Sequence, residues 1–126
     1  MVFKHILLVG IGGFAGSIAR YLVGRLSVGI QFLDIPIGTL AVNVIGSFLL
    51  GLLMGIADKS ALMTADLRML LMVGLCGGFT TFSTFTGENL ALLHNGEYFT
   101  VFLYTALSLF LGFLAVYLGY VITNLL

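Results

Sequence analysis

Within the stretch Gly74–Asn89, GLCGGFTTFSTFTGEN, the hydroxyls of Thr80, Thr81, Ser83 and Thr84 stand beside the phenyl rings of Phe82 and Phe85, with Glu88 close behind. A hydroxyl donates a hydrogen bond, and a phenyl ring has a positive edge that can face an anion without adding formal charge. Elsewhere a Phe pair is core or lipid contact. Here the two rings lie three positions apart on a helix, on one stripe beside hydroxyls. Donors and ring edges together suit a small, strongly hydrogen-bonding anion. A metal-cation path would call for rings of carboxylates, which are missing.

Other polar residues interrupt apolar runs, where they are expensive and mark pathways. Asn43 has Thr39 and Ser47 four residues to either side, so the three share a helical face. Asn43 reads as a donor lining a hydrated cavity or as an interhelical hydrogen bond. Arg20, inside the first apolar segment, either snorkels to an interface or places positive potential at the mouth of a vestibule, attracting anions. Glu88 reads as structural, paired with a basic group or capping backbone donors, rather than as a proton carrier. His5 and His94 stand too far from other ligands to argue for a metal site. No enzymatic constellation is visible.

These residues need elements to position them, and composition dictates the solvent. The chain has 126 residues, 60% hydrophobic and only 8% charged, against about a quarter charged in a soluble domain. It belongs in a bilayer as one transmembrane domain spanning residues 1–126. The net charge is zero with no basic block, which argues against nucleic acid. The single cysteine, Cys76, cannot form an internal disulfide and reads as a small packing residue. A spanning helix needs about 20 apolar residues. Four segments qualify, at about His5–Leu26, Pro36–Ala57, Asp66–Leu93 and Tyr98–Leu126. Gly10-x-Gly12-x-x-Ala15 mimics a dinucleotide-binding fingerprint, but such a chain cannot supply the parallel sheet that the fingerprint needs. The apolar start of the chain mimics a secretory signal, but the later segments are membrane as well.

The third segment is expected to break near its middle, at Gly77, Gly78, Thr80 and Thr81, where glycines permit unusual backbone angles and threonines bond back to the chain. Irregular backbone survives at that depth only when buried in protein or lining a watery cavity. Carbonyls freed at such breaks can hold a cation. Small residues at four-residue spacing (Gly12 and Gly16; Ser47, Gly51 and Gly55; Ser108 and Gly112, then Ala115 and Gly119) let helices touch, within one chain or between chains. Four helices enclose little space, so a polar cavity forms more easily between two copies, and a homodimer is the simplest closed assembly.

GGFAGSIARY (Gly12 to Tyr21), GTLAVNVIGSFLLG (Gly38 to Gly51) and GLCGGFTTFSTF (Gly74 to Phe85) resemble the Fluc/CrcB family of fluoride channels. The likeness covers essentially the whole chain. It implies an all-α membrane fold of four transmembrane helices with a broken third helix, assembled as an antiparallel, dual-topology homodimer with two fluoride pores. It implies a structural sodium ion at the dimer centre, held by backbone carbonyls matching Gly77 and Thr80. It places Asn43, Phe82 and Phe85 on the pore with Ser83 and Thr84 nearby, and Tyr104 and Ser108 on a polar track in the fourth helix. Such a protein is a passive exporter in the inner (plasma) membrane, not an enzyme. The alternative is a proton-coupled small multidrug exporter, also a short dual-topology dimer. That class needs an acidic residue in the middle of the first helix, where this chain has none. A non-transporting membrane subunit would show no flux at all.

Overall fold

The computed structural model describes residues 1–126, and every regular element is helical. Helix α1 runs Val2–Leu26 and α2 Ile37–Lys59. The third span, residues 65–94, is composite: α3 (Ala65–Leu67), a π-helix (Arg68–Cys76), α4 (Gly77–Phe79), then α5 (Phe82–His94). Helix α6, Tyr98–Leu125, is the last. All four spans are long and apolar enough to cross a bilayer. The chain is a four-span, all-α membrane protein with a broken third span. The sheet that a dinucleotide fingerprint would need is absent.

Local chemistry sets the ends. Pro36, at φ −70°, leads into α2. Thr64 caps α3 by accepting from the Leu67 amide at 3.2 Å. Asp66, in that first turn, is paired by Lys4 at 2.6 Å, with His5 at 3.4 Å, so the start of α1 is tied to the third span. Lys59, ending α2, donates to the Thr123 carbonyl at 2.8 Å, one of the last turn of α6. Gly96, at φ +74°, makes the turn between α5 and α6. The α1–α2 loop passes through Leu33 and Asp34, both left-handed (φ 51° and 63°). It is held to α6 by Thr100 Oγ1 donating to Leu33 O at 3.1 Å, and by Ile35, buried with Leu92 and Tyr104.

Two seams of backbone contact make the scaffold. In one, α2 meets α6: a Cβ on Gly51 would collide with the Val116 carbonyl, and one on Gly119 with the Phe48 carbonyl. In the other, α1 meets the π-helix and α4: a Cβ on Gly12 would collide with Leu70 O, and one on Gly16 with Leu75 O. Gly12, Gly16, Gly51, Gly55 and Gly119, among the small residues at four-residue spacing, therefore act within one chain. Only 17 of 126 residues are buried, so most apolar side chains still face outward, where lipid can cover them.

Gly51→Ala is expected to destabilise by about 1–3 kcal/mol through overpacking, because backbone on α6 must move. Gly24→Ala, where a methyl meets nothing within 4 Å, is expected to leave stability unchanged or slightly raised. Thermal or denaturant unfolding in detergent compares the two; equal midpoints would show that the seam is slack.

Candidate functional site

The break falls at two threonines. Helix persists through Gly77 and Gly78 to Phe79; then Thr80 (ψ 159°) and Thr81 (φ −151°, ψ 119°) are extended. This corrects the expectation for the glycines, which adopt helical backbone rather than unusual angles. Gly78 serves close approach instead, since a Cβ there would lie 2.8 Å from Gly13 O in α1. Threonine chemistry makes the break itself. The Thr80 amide and hydroxyl both donate to Cys76 O at 3.0 Å, ending the first half-helix. Thr81 Oγ1 accepts from the Thr84 amide at 3.2 Å, starting the second as its cap.

Asn43 of α2 splints the gap like a strip of neighbouring strand. Its Oδ1 accepts from the Thr81 amide at 2.8 Å, and its Nδ2 donates to Thr81 O at 3.1 Å. Arg20 Nε donates to Gly78 O at 3.1 Å from the other side. The amides that would continue the helical ladder to Gly77 O and Thr80 O are those of Thr81 and Thr84, and both are taken elsewhere. These two carbonyls are the hard, neutral oxygens named from sequence for a cation, and their chemistry fits a small alkali ion.

Beyond the break the first turns of α5 present the remaining groups. Phe82 is 76% exposed on the single chain, and Ser83 and Thr84 are exposed beside it. Phe85 is half-buried, with its ring 5.9 Å from Phe82 and 5.0 Å from Tyr104, the latter edge to face. Tyr104 is fully buried, and its hydroxyl donates to Glu88 Oε1 at 2.9 Å. Thr39 Oγ1 donates to Glu88 Oε2 at 2.9 Å. Glu88 thus faces neither a basic group nor backbone donors, in contrast to the expectation. Two hydroxyls, from α2 and α6, give each of its oxygens one charge-assisted hydrogen bond instead. Ser108 Oγ is buried with no hydrogen-bond partner. Ser47, grouped with Thr39 and Asn43 by spacing, borders a cavity with Asn43 and also lies near Gly112 of α6.

Two cavities meet at Thr81. One, of about 620 Å³, lies beneath the α1–α2 loop and is lined by Arg20, Arg25, Thr39, Thr81, Thr84 and Glu88 among others. The other, of about 310 Å³, is bordered by Asn43, Ser47, Gly77, Thr80, Thr81 and Phe82 among others. Arg20 therefore reaches both the broken backbone and the larger cavity, instead of snorkelling away. The Thr39–Glu88–Tyr104 arrangement was not legible in sequence, because its members come from three helices. The isolated carboxylate in an apolar run was its only signal.

A family model described as CrcB-like protein, Camphor Resistance (CrcB), matches residues 7–120. A protein of Gloeothece citriformis, named fluoride-specific ion channel FluC, is 50% identical over 116 residues, 91% of this chain and 93% of its own. One of the same name from Chlorobium chlorochromatii is 49% identical over 115 residues, 91% of this chain and 88% of its own. Another, from Chlorobaculum tepidum, is 46% identical over 125 residues, 99% and 98% of the two chains.

Asn43→Asp keeps an acceptor for the Thr81 amide but sets a second acceptor against Thr81 O. Unfolding followed by circular dichroism in detergent is expected to show unchanged helix content and a loss of about 1–3 kcal/mol. An unshifted midpoint would mean that the splint does not carry the break.

Proposed function

Because the chain belongs to the CrcB family, we propose that it is a fluoride-selective ion channel through which cytoplasmic fluoride leaves passively down its electrochemical gradient. Hydrogen fluoride crosses membranes uncharged and dissociates inside the cell, so the trapped anion needs only a path. The observation that carries this reading is the splinted break at Thr80–Thr81, which joins a cavity lined by arginines to exposed hydroxyls and phenyl rings. A fluoride ion shedding water needs replacement donors. Ser83, Thr84 and the unpartnered Ser108 hydroxyl can donate, and the edges of Phe82 and Phe85 supply weaker positive potential. Thr39 and Tyr104 each donate to one oxygen of Glu88 and hold its carboxyl group in place beside this path. Asn43 and Tyr104 act mainly by shaping the wall. Arg20 sits in the vestibule.

The functional unit is an antiparallel homodimer in the plasma membrane, with two pores. Support comes from what the single chain leaves uncovered: Phe82 exposed, and the Gly77 carbonyl beside a residue with nothing within 4 Å of its Cβ position. A structural sodium ion, bound by Gly77 and Thr80 carbonyls, would neutralise their dipoles and tie two breaks together. Basic residues are nearly balanced across the membrane, with Lys4, Lys59 and Arg68 at one side and Arg25, with Arg20 deeper, toward the other. So weak a bias permits insertion in both orientations. A multidrug-type exporter is not favoured, because α1 carries no carboxylate.

Purified protein in liposomes is expected to release fluoride and retain chloride. Phe82→Ile and Phe85→Ile are expected to cut fluoride efflux by about tenfold or more, a barrier change of about 1.4 kcal/mol, without dissociating the dimer. Wild-type efflux in both would assign the rings to packing alone. Exchange of sodium for a larger monovalent cation is expected to shift the dimer toward monomer on size exclusion; an unchanged profile would remove the ion from the assembly.

A further inference from the structure

We propose that Arg20 is a positioning residue of the conduction path, acting through the Gly78 carbonyl to hold the broken backbone in register, in addition to the charge it presents to anions. The inference rests on the channel reading for its flux arm and on geometry for the rest. Gly12, Gly16 and Arg20 recur at four-residue spacing along one face of α1. The two glycines bring α1 into backbone contact with the π-helix and with α4. Arg20, one turn later, reaches over the point where the third span stops being helical. There Gly78 O has lost its ladder, because the amide that would bond it, that of Phe82, lies beyond the extended Thr80–Thr81 pair. Arg20 Nε supplies the missing donor at 3.1 Å, bridging residues 58 apart in sequence. Asn43 secures the other end of the same break at Thr81. The broken segment is therefore clamped from two helices. Only one of guanidinium's five N–H donors is used on Gly78; the others remain for the cavity that Arg20 also lines.

The two roles separate by side-chain chemistry. Glutamine carries an N–H at the same ε position as the arginine Nε, without the charge. Lysine keeps the charge, but has carbon at that position and its only donors one atom further out. Hydrogen–deuterium exchange of the peptide covering residues 77–84, with an α6 peptide as folding control, reads the clamp. Exchange at Thr81 and Thr84 is expected to quicken about tenfold in Arg20→Lys, and to stay within about twofold of wild type in Arg20→Gln. In liposomes, Arg20→Lys is expected to lose maximal fluoride efflux, whereas the loss in Arg20→Gln is expected in the half-saturating fluoride concentration. Wild-type exchange in Arg20→Lys, or equally fast exchange in both variants, would overturn the proposal and leave Arg20 as a charge alone. If the wild-type protein moves no fluoride, the channel reading fails while the exchange measurement still decides the clamp.

Discussion

A main chain inside hydrocarbon cannot leave its amides and carbonyls bare, and this molecule is organised around one place where the helical ladder is interrupted. At Thr80 and Thr81 the helix gives way, and several of the exposed groups are met from different directions, while the carbonyls of Gly77 and Thr80 lose their ladder amides. Thr80 turns back on Cys76, Thr81 caps the following helix, Asn43 brackets Thr81, and Arg20 takes Gly78 O. The last two of these partners arrive only because α1 and α2 pack against the third span. The glycine seams on α1 therefore serve the break as much as they serve stability.

The same economy explains the carboxylate. A charge such as Glu88 is costly at membrane depth unless it is hydrogen-bonded. Two hydroxyls, Thr39 and Tyr104, satisfy it without a cation. A lysine or arginine partner would have neutralised the charge, whereas hydroxyl donors stabilise it without cancelling it. Tyr104, one of these partners, also meets the Phe85 ring edge to face. The cavity under the α1–α2 loop holds two guanidinium groups, those of Arg20 and Arg25.

Much of this was legible in the residues. Four apolar runs yielded four spans with ends within a few residues, because hydropathy alone decides what crosses a bilayer. The break was placed within a few residues, since Gly-Gly followed by Thr-Thr has poor helix propensity. Its mechanism was half right: the threonines bond back to the chain as expected, but the glycines stay helical and Gly78 packs on α1, which depends on α1 lying close to it. The partners of Arg20, Asn43 and Glu88 were illegible for a common reason. Each spans a gap of at least 16 residues, and spacing rules reach only one or two turns. Tertiary docking chose among the alternatives that spacing left open.

The π-helix of Arg68–Cys76 gives the third span a phase that an ordinary helix of the same length would not have. Its i→i+5 pattern winds more loosely than the α-helix on either side of it. In an α-helix each residue turns the face by about 100°. Were this stretch to tighten to α winding at the same length, the extra rotation would accumulate residue by residue and swing everything downstream about the helix axis. Gly78 would then turn away from Arg20, and Thr81 from Asn43. The wide turn acts as a vernier, setting the azimuth at which the interrupted backbone meets the two helices that complete it.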